Sequence, residues 1–371
     1  MQRLLCWEMN EHFTIAVLKW YEVNRRELPW RGTRDPYAVW LSEIILQQTR
    51  IEQGRAYWER FMERWPTVKD LAAATEDEVL RMWQGLGYYS RARNLHTAAR
   101  QIVAMGGFPQ TLEGIKSLKG VGDYTAAAIG SIAFGQPAAV VDGNVYRVLA
   151  RYFGIDTPIN TTEGKKLFTA LAQELLPNDR AADFNQAMMD FGAIQCTPSS
   201  PRCLLCPLME SCDALRTGRI AELPVKRKTL TVKTRHLTYI YIRCEGHTAI
   251  HRRPAGDIWH GLWEPYCIEH STLSIEHSAL SIEHSALSIE HLANNNVQCS
   301  IFNVQCLKRG VRHVLTHQII LADFYLWECD ERPDLPEDYI WIPEKDIDRY
   351  GVPRLVEKLL EVVRSSSFNL S

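Results

Sequence analysis

Four cysteines crowd into seventeen residues, Cys196, Cys203, Cys206 and Cys212, with the spacing C-x6-C-x2-C-x5-C. Thiolate sulfur is a soft ligand, so four on one short segment can close around zinc or an iron–sulfur cluster in preference to magnesium or calcium. The segment is rich in Pro and Ser and lacks core periodicity, which argues against four ordinary buried thiols. Spacing alone leaves both metals open. The other six cysteines are scattered, at 6, 244, 267, 299, 306 and 329, so a disulfide framework is not the expectation.

Two carboxylates are further candidates. Glu43 lies in Trp40-Leu41-Ser42-Glu43-Ile44-Ile45-Leu46-Gln47-Gln48-Thr49, where apolar neighbours would raise its pKa toward that of a general acid; an exposed helical charge is the plainer reading. Asp142 lies in Val140-Val141-Asp142-Gly143-Asn144-Val145, between an apolar run and a helix start, where a simple cap competes with a catalytic role. Local spacing cannot pair side chains nearly one hundred residues apart. Between them, Leu118-Lys119-Gly120-Val121-Gly122-Asp123-Tyr124-Thr125-Ala126 sets two glycines at a turn between helices. Gly120 and Gly122 permit a tight turn whose uncrowded N–H groups, with the following helix N-terminus, can hold a phosphate oxygen. Such a contact positions nucleic acid without reading its sequence.

The elements that must position these groups follow from apolar spacing. Asp35-Pro36 places a cap before a proline at the first helical position, and Tyr37, Trp40, Ile44 and Ile51 recur at helical intervals, so one helix is expected there. Similar spacing over residues 71–83, 91–105, 124–134, 144–152, 165–176 and 183–194 predicts an all-helical region from about residue 13 to 214. Residues 213–235 then carry seven basic side chains against two acidic ones, which reads either as a tether over a polyanion or as a solvated linker. Strand-like runs at 236–244, 248–252, 318–328 and 339–342, with a helix at 352–363, predict a mixed second domain in which strands predominate.

The chain has 371 residues, 46% of them apolar, enough for two or three cores. Its 42 basic and 44 acidic residues exclude a uniformly basic coat, so any nucleic-acid surface must be focused. Met1 to Asn10 does not read as a signal peptide, and no run approaches the roughly 18 to 20 apolar residues of a membrane span, so a cytosolic, reducing setting is expected. One segment breaks the pattern: Ser-Thr-Leu-Ser-Ile-Glu-His at 271–277 is followed by two copies of Ser-Ala-Leu-Ser-Ile-Glu-His, at 278–284 and 285–291. Leu and Ile there alternate two and five apart, not three and four, so the repeats predict a tolerated loop insertion and not a coiled coil.

Taken with Asn185-Gln186-Ala187-Met188-Met189-Asp190-Phe191-Gly192-Ala193 before it, the cysteine cluster resembles the end of the helical domain in the helix-hairpin-helix DNA glycosylases that carry a [4Fe-4S] cluster. Leu28-Pro29-Trp30-Arg31, the Glu43 to Gln48 segment, Gly85-Leu86-Gly87-Tyr88-Tyr89-Ser90-Arg91-Ala92, the hairpin and Val141-Asp142-Gly143-Asn144 resemble the adenine-specific branch, in family order over about residues 20 to 212. The resemblance implies that Glu43 protonates N7 of adenine, that Asp142 stabilises positive charge on the deoxyribose as the C1'–N9 bond breaks, and that Asn144 orients this carboxylate system. It places Trp30, Arg31 and Gln186 around the adenine, Gln48 and Tyr88 in the duplex beside the lesion pair, and Gly120, Val121, Gly122 and Tyr124 in the DNA-holding hairpin. Tyr124 stands where the lyase branch has its Schiff-base lysine; a phenol cannot form an imine, which implies a monofunctional enzyme, Lys119 notwithstanding.

The C-terminal half resembles a Nudix-like recognition domain, through Ile250-His251-Arg252-Arg253-Pro254, Gly261-Leu262-Trp263-Glu264 and Arg312-His313-Val314-Leu315-Thr316-His317, without a Glu-rich hydrolase box. Leu315-Thr316-His317 stands where the family usually has Phe-Ser-His: the hydroxyl and imidazole are kept for the 8-oxoguanine edge, and the aromatic ring is lost.

The expectation is a multidomain chain: a mostly α-helical core over 10–214 with its cluster loop at 196–212, a basic linker over 215–231, and an α/β Nudix-like domain over 232–362 interrupted by 271–291. Its partner would be double-stranded DNA with adenine opposite 8-oxoguanine or guanine, its cofactor a [4Fe-4S] cluster. It would act as a monomer without a membrane, in the cytoplasm and on the nucleoid in a prokaryote. A related glycosylase excising thymine and a noncatalytic lesion-binding or iron–sulfur regulatory protein are the alternatives.

Overall fold

The computed structural model describes residues 2–227, 232–270, 304–315 and 317–367. The chain divides into two compact units, Met1–Ala74 with Asn94–Lys228, and Thr75–Arg93 with Thr229–Ser371.

Along the first part of the chain run α1 (Gln2–Asn24), α2 (Pro36–Ile45), α3 (Ile51–Arg64), α4 (Val68–Ala73), α5 (Glu76–Trp83), α6 (Ser90–Ala104), α7 (Leu112–Lys116), α8 (Asp123–Phe134), α9 (Gly143–Tyr152), α10 (Thr162–Leu175), α11 (Ala181–Asp190) and α12 (Asp213–Arg216). Asp35 caps α2 as its sequence predicts, its carboxylate accepting from Tyr37 N and Ala38 N with Pro36 at the first position. That helix does not continue to Ile51. It ends at Ile45, Gln48 turns into the left-handed region at φ 57°, and α3 starts afresh at Ile51. The helix expected over 71–83 is likewise two: Ala74 leaves α4 in extended conformation, and Thr75 opens α5 through a capping box with Glu78. Apolar periodicity runs through both breaks, so spacing alone could not reveal them.

Among its described residues the first unit is built of helices joined by turns and loops, with no strand. Phe13, Val17 and Tyr21 of α1 pack with Val148, Leu149 and Tyr152 of α9, Phe168 of α10, and Phe184 and Met188 of α11 in one buried cluster. Each such side chain contributes about 1.5–3 kcal/mol relative to exposure. Beside this layer, α2 lies against both α3 and α8, and α8 also packs on α7 and α11. After Asp190 the last helical turn widens over Phe191–Gln195, where Cys196 N donates to Phe191 O across 2.8 Å. The expected end of that helix at Ile194 is therefore a wide turn.

Among its described residues the second unit holds a mixed seven-stranded sheet: β1 (Lys233–Cys244), β2 (His247–Arg252), β3 (Trp263–Glu264), β4 (Tyr266–His270), β5 (Val304–Val314), β6 (Gln318–Cys329) and β7 (Tyr339–Pro343). Central β1 pairs parallel with β6 from Lys233↔Gln318 to Cys244↔Cys329, and antiparallel with β4 and β2 along its other edge. Ile240 and Ile242 meet Tyr325 and Trp327 in one cluster, while Leu237, Tyr239 and Tyr241 are buried as well, as befits a central strand covered on two faces. Helix α13 (Arg354–Ser367) lies against β5 and β6. Strand β3 is too short and β5 too polar to be marked from sequence, and β4 lies outside the strand-like runs that the sequence offers.

Residues 75–93 are part of this second unit. Arg252 donates to Glu76 and Asp77 at 2.8 and 3.2 Å, Arg93 to the carbonyl of His260, and Gln84 to Glu357. Gly351 packs on α5, where a Cβ would make ordinary contact, 3.4 Å from the Arg81 nitrogen. The repeats at 271–291 and Thr316 lie outside the described residues.

Candidate active site

Glu43 from α2, Tyr124 from α8, Asp142 and Asn144 at the start of α9, and Gln186 from α11 line one cavity of about 680 Å3, together with Trp30, Arg31 and Gln48. The two distant carboxylates thus share one chamber.

Glu43 opens on to the cavity with Ser42, Ile44 and Ile45 buried on either side of it along the helix. Burial pushes its carboxyl above the usual range, and the negative Asp142 adds to this; a hydrogen bond from Tyr124 and the charge of Arg31 pull the other way. Tyr124 donates its hydroxyl to Glu43 Oε2 at 2.8 Å, and burial together with the two carboxylates keeps that phenol protonated.

Asp142 is the N-cap of α9, and it is also in the cavity. Its Oδ1 accepts from Asn144 N and Val145 N, both at 2.8 Å, and its Oδ2 accepts from Asn144 Nδ2 at 2.7 Å. Burial still leaves its pKa raised, against these three donated hydrogen bonds and the charge of Arg147. Both carboxyls are therefore pushed up by burial. They differ in what faces them: Asp142 is held by donors that stabilise its charge, including helix-start N–H groups, whereas Glu43 meets one neutral phenol. Glu43 is the better proton holder of the two.

A chain of hydrogen bonds runs onward from Asp142. Arg147 Nη2 donates to Asn144 Oδ1 at 2.7 Å and to Gly192 O at 2.6 Å, and Arg147 Nε donates to Cys196 O at 2.7 Å. Gly192 lets the wide turn approach α9, since a Cβ there would fall 2.6 Å from that of Asn144. The opposite wall is built on fully buried Asp190, which accepts from Arg26 and from Arg31 Nη2. Trp30 is buried edge-on to Trp58 at 5.7 Å.

In the hairpin, Gly120 turns at φ 78° against Asn94, and Gly122 caps α8 without a side chain over its N–H groups and with open space around it. Val121 is buried, and Lys119 is absent from the cavity wall. Among the described residues Gln48, Tyr88, Ser200 and Glu245 are the non-glycine residues at positive φ. Two of the four are the residues expected to enter the duplex. Tyr88, at φ 48° and 43% exposed, belongs to the second unit, as do Leu315 and His317. Leu315 N donates to Gln318 O at 2.8 Å, closing the turn that carries the exposed His317.

Cys196, Cys203, Cys206 and Cys212 are free thiols in one neighbourhood. Burial pushes Cys206 up to about 12, and the other three thiols add to that shift. Among the described residues no three metal-binding side chains converge in ligating geometry. The surroundings nevertheless fit an anionic metal–thiolate group. Arg151, 2% exposed, donates to Thr197 O, Pro198 O, Leu223 O and Cys196 Sγ, and Arg147 is buried beside it. Two buried guanidinium groups facing thiols and carbonyls favour negative charge at the cysteines.

Arg26, Asp190, Tyr21, Arg147 and Arg151 sit in no local motif that marks them in the sequence. The available signals were an acid inside the apolar Met188-Met189-Asp190-Phe191 run and two arginines four apart on the apolar helix 143–152.

Residues 41–177 match the HhH-GPD superfamily of base excision DNA repair proteins, and residues 238–362 match the NUDIX domain. The fold and cavity thus define a helix-hairpin-helix repair protein with a Nudix-like C-terminal domain. The adenine DNA glycosylase of Schizosaccharomyces pombe is 31% identical over 410 aligned positions, covering 93% of this chain and 88% of the relative, and that of Arabidopsis thaliana is 38% identical over 298, covering 69% and 47%. The chain belongs to the adenine DNA glycosylase family. It spans less than half the length of the Arabidopsis and human relatives. Among solved structures, a thermostable thymine-DNA glycosylase matches at 33% identity and TM-score 0.53, over 57% of this chain and 98% of the other.

Proposed function

We propose that this protein hydrolyses the N-glycosidic bond of adenine opposite 8-oxoguanine, and secondarily opposite guanine, in double-stranded DNA during base excision repair. The observation that carries the reading is the meeting of Glu43 and Asp142 in one cavity, each with different partners. Adenine must be turned out of the helix to reach them. Protonated Glu43 donates to N7, so the base departs neutral. Asp142, held ionised by Asn144 and the start of α9, stabilises the oxocarbenium-like sugar as the C1'–N9 bond breaks, and Glu43 then steers water to C1'. Trp30, Arg31 and Gln186 hold the base, while Gln48 and Tyr88 occupy the space beside the lesion pair.

Gly120, Val121, Gly122 and the following helix start take a phosphate. Tyr124 holds Glu43 and cannot form an imine, so the product is an abasic site and the enzyme is monofunctional. Cys196, Cys203, Cys206 and Cys212 would hold a [4Fe-4S] cluster, which supplies structural cross-linking of the loop. Residues 10–214 would form the catalytic domain, 215–231 a basic linker and 232–362 the lesion reader, with Leu315, Thr316 and His317 at the 8-oxoguanine. The enzyme would act as a monomer in the cytoplasm, on the nucleoid in a prokaryote.

Similarity to the thymine enzyme favours one second reading, excision of thymine opposite guanine on the same scaffold. Matched duplexes carrying A opposite 8-oxoguanine, A opposite G and T opposite G, scored separately for free base and for strand nicking, separate the two. The adenine reading predicts adenine release without prompt nicking. Thymine as the main released base contradicts it, and nicking that keeps pace with base release contradicts monofunctionality.

A further inference from the structure

On the α11 side of the cavity, Arg31 Nη1 donates to the Tyr21 hydroxyl oxygen at 3.1 Å, and the Tyr21 hydroxyl donates to Gln186 Oε1 at 2.8 Å. In the structure the relay runs toward the glutamine: a guanidinium has donors and no acceptor, so the Tyr21 oxygen accepts from it, and the phenolic hydrogen is given to Gln186 Oε1. Burial raises the Tyr21 pKa, so that hydrogen stays in place. A glutamine amide whose carbonyl is engaged has its two N–H donors left over, and the Gln186 side chain lines the cavity without another hydrogen bond to the described residues.

We propose that Tyr21 is a positioning residue that fixes the Gln186 amide with its NH2 toward the base, so that the pocket offers a donor to a ring nitrogen of adenine. Tyr21 is not in the cavity wall and reaches the base through Gln186, while Arg31, its other partner, stays anchored on Asp190 Oδ1 at 3.0 Å. Its ring is 6% exposed in the α1–α9–α11 core, so the orienting hydroxyl is carried on a rigid element. Without that hydroxyl the amide can rotate by half a turn and present its oxygen, which repels every ring acceptor. The pocket would then lose discrimination as well as rate, because one wall no longer distinguishes a ring nitrogen from a ring C–H.

The inference rests on adenine excision as proposed above. Its test uses the full-length protein with and without Tyr21→Phe, which removes one oxygen and keeps the ring. Three duplexes carry adenine, 1-deazaadenine or 3-deazaadenine opposite 8-oxoguanine, and single-turnover base release is measured. For each substrate the readout is the wild-type to variant rate ratio, in which the intrinsic lability of each base cancels. Tyr21→Phe is expected to slow adenine roughly tenfold, the equivalent of one hydrogen bond. One deaza substrate should lose as much, and the other, which already lacks the acceptor facing Gln186, should be unaffected. In a Gln186→Met background Tyr21→Phe should add nothing. Equal losses on all three substrates would mean that Tyr21 only supports the fold, and no loss on any would mean that the amide needs no orienting; either result overturns the inference. Wild-type protein that releases no adenine from any duplex fails the underlying reading instead.

Discussion

Asp142 couples the cavity to the cysteine loop through Asn144, Arg147 and the carbonyl of Cys196, so the residue that should stabilise the sugar is itself held from outside the cavity. Arg147→Ala removes four donated hydrogen bonds, the fourth being to Gly143 O, leaves Asn144 held by Asp142 alone, and strands the carbonyls of Gly192 and Cys196. Unfolding by urea should show a loss of about 2–3 kcal/mol, and single-turnover excision should fall more than duplex binding does. Unchanged excision in a folded variant would dissociate the arginine from catalysis. Glu43 supplies a second prediction. Burial raises its folded pKa above the unfolded value, so its contribution to stability is complete below the unfolded pKa and is lost as pH rises through the folded one. Glu43→Gln should therefore gain melting temperature relative to wild type at about pH 8 and gain little at about pH 4. The types of Glu43, Asp142 and Tyr124 were legible in the sequence because each sits in a short motif. Asp190 and Tyr21 were not, because their partners lie 164 and 165 residues away and nothing local names them.

Most helices could be read from capping residues and apolar spacing, and the misreadings share one cause. At Gln48 and at Ala74 the apolar pattern persists while the backbone changes direction. The first of these breaks falls at the cavity, where Gln48 lines the wall in a left-handed conformation that a non-glycine residue adopts at a cost of about 1–2 kcal/mol. Spacing singled out the cysteine loop as a candidate metal site, whereas the buried arginines behind it carry no local signal as strong. Cys203→Ser should lower bound iron and inorganic sulfide well below the roughly four equivalents each expected of a cubane cluster. Elemental analysis of protein purified without reconstitution checks this, and one zinc per chain with no sulfide would replace iron with zinc.

At the level of the whole chain, the second unit includes residues 75–93, so Tyr88 and its turn are built together with the sheet domain. Sequence order could not show this, because the segment sits inside the helical run. Removing residues 232–371 would strip residues 76–93 of Arg252, His260, Gly351 and Glu357 as well as the proposed lesion contacts. Truncation should therefore reduce the rate advantage of 8-oxoguanine over guanine and also slow excision opposite guanine. His317→Ala, in an exposed turn, should lower the advantage alone; loss of both rates in that variant would show that the turn supports the fold instead of reading the lesion. The central claim is that a protonated Glu43 acts beside an ionised Asp142. It is tested most directly by the single-turnover rate of adenine release from the 8-oxoguanine duplex as a function of pH, for wild type and Glu43→Gln with lesion-duplex binding measured in parallel. Wild type should lose rate on the alkaline side as Glu43 gives up its proton and on the acid side as Asp142 gains one, and Glu43→Gln should bind normally while excising at least roughly 100-fold more slowly. Near-normal excision by Glu43→Gln, with the alkaline limb intact, would contradict the account.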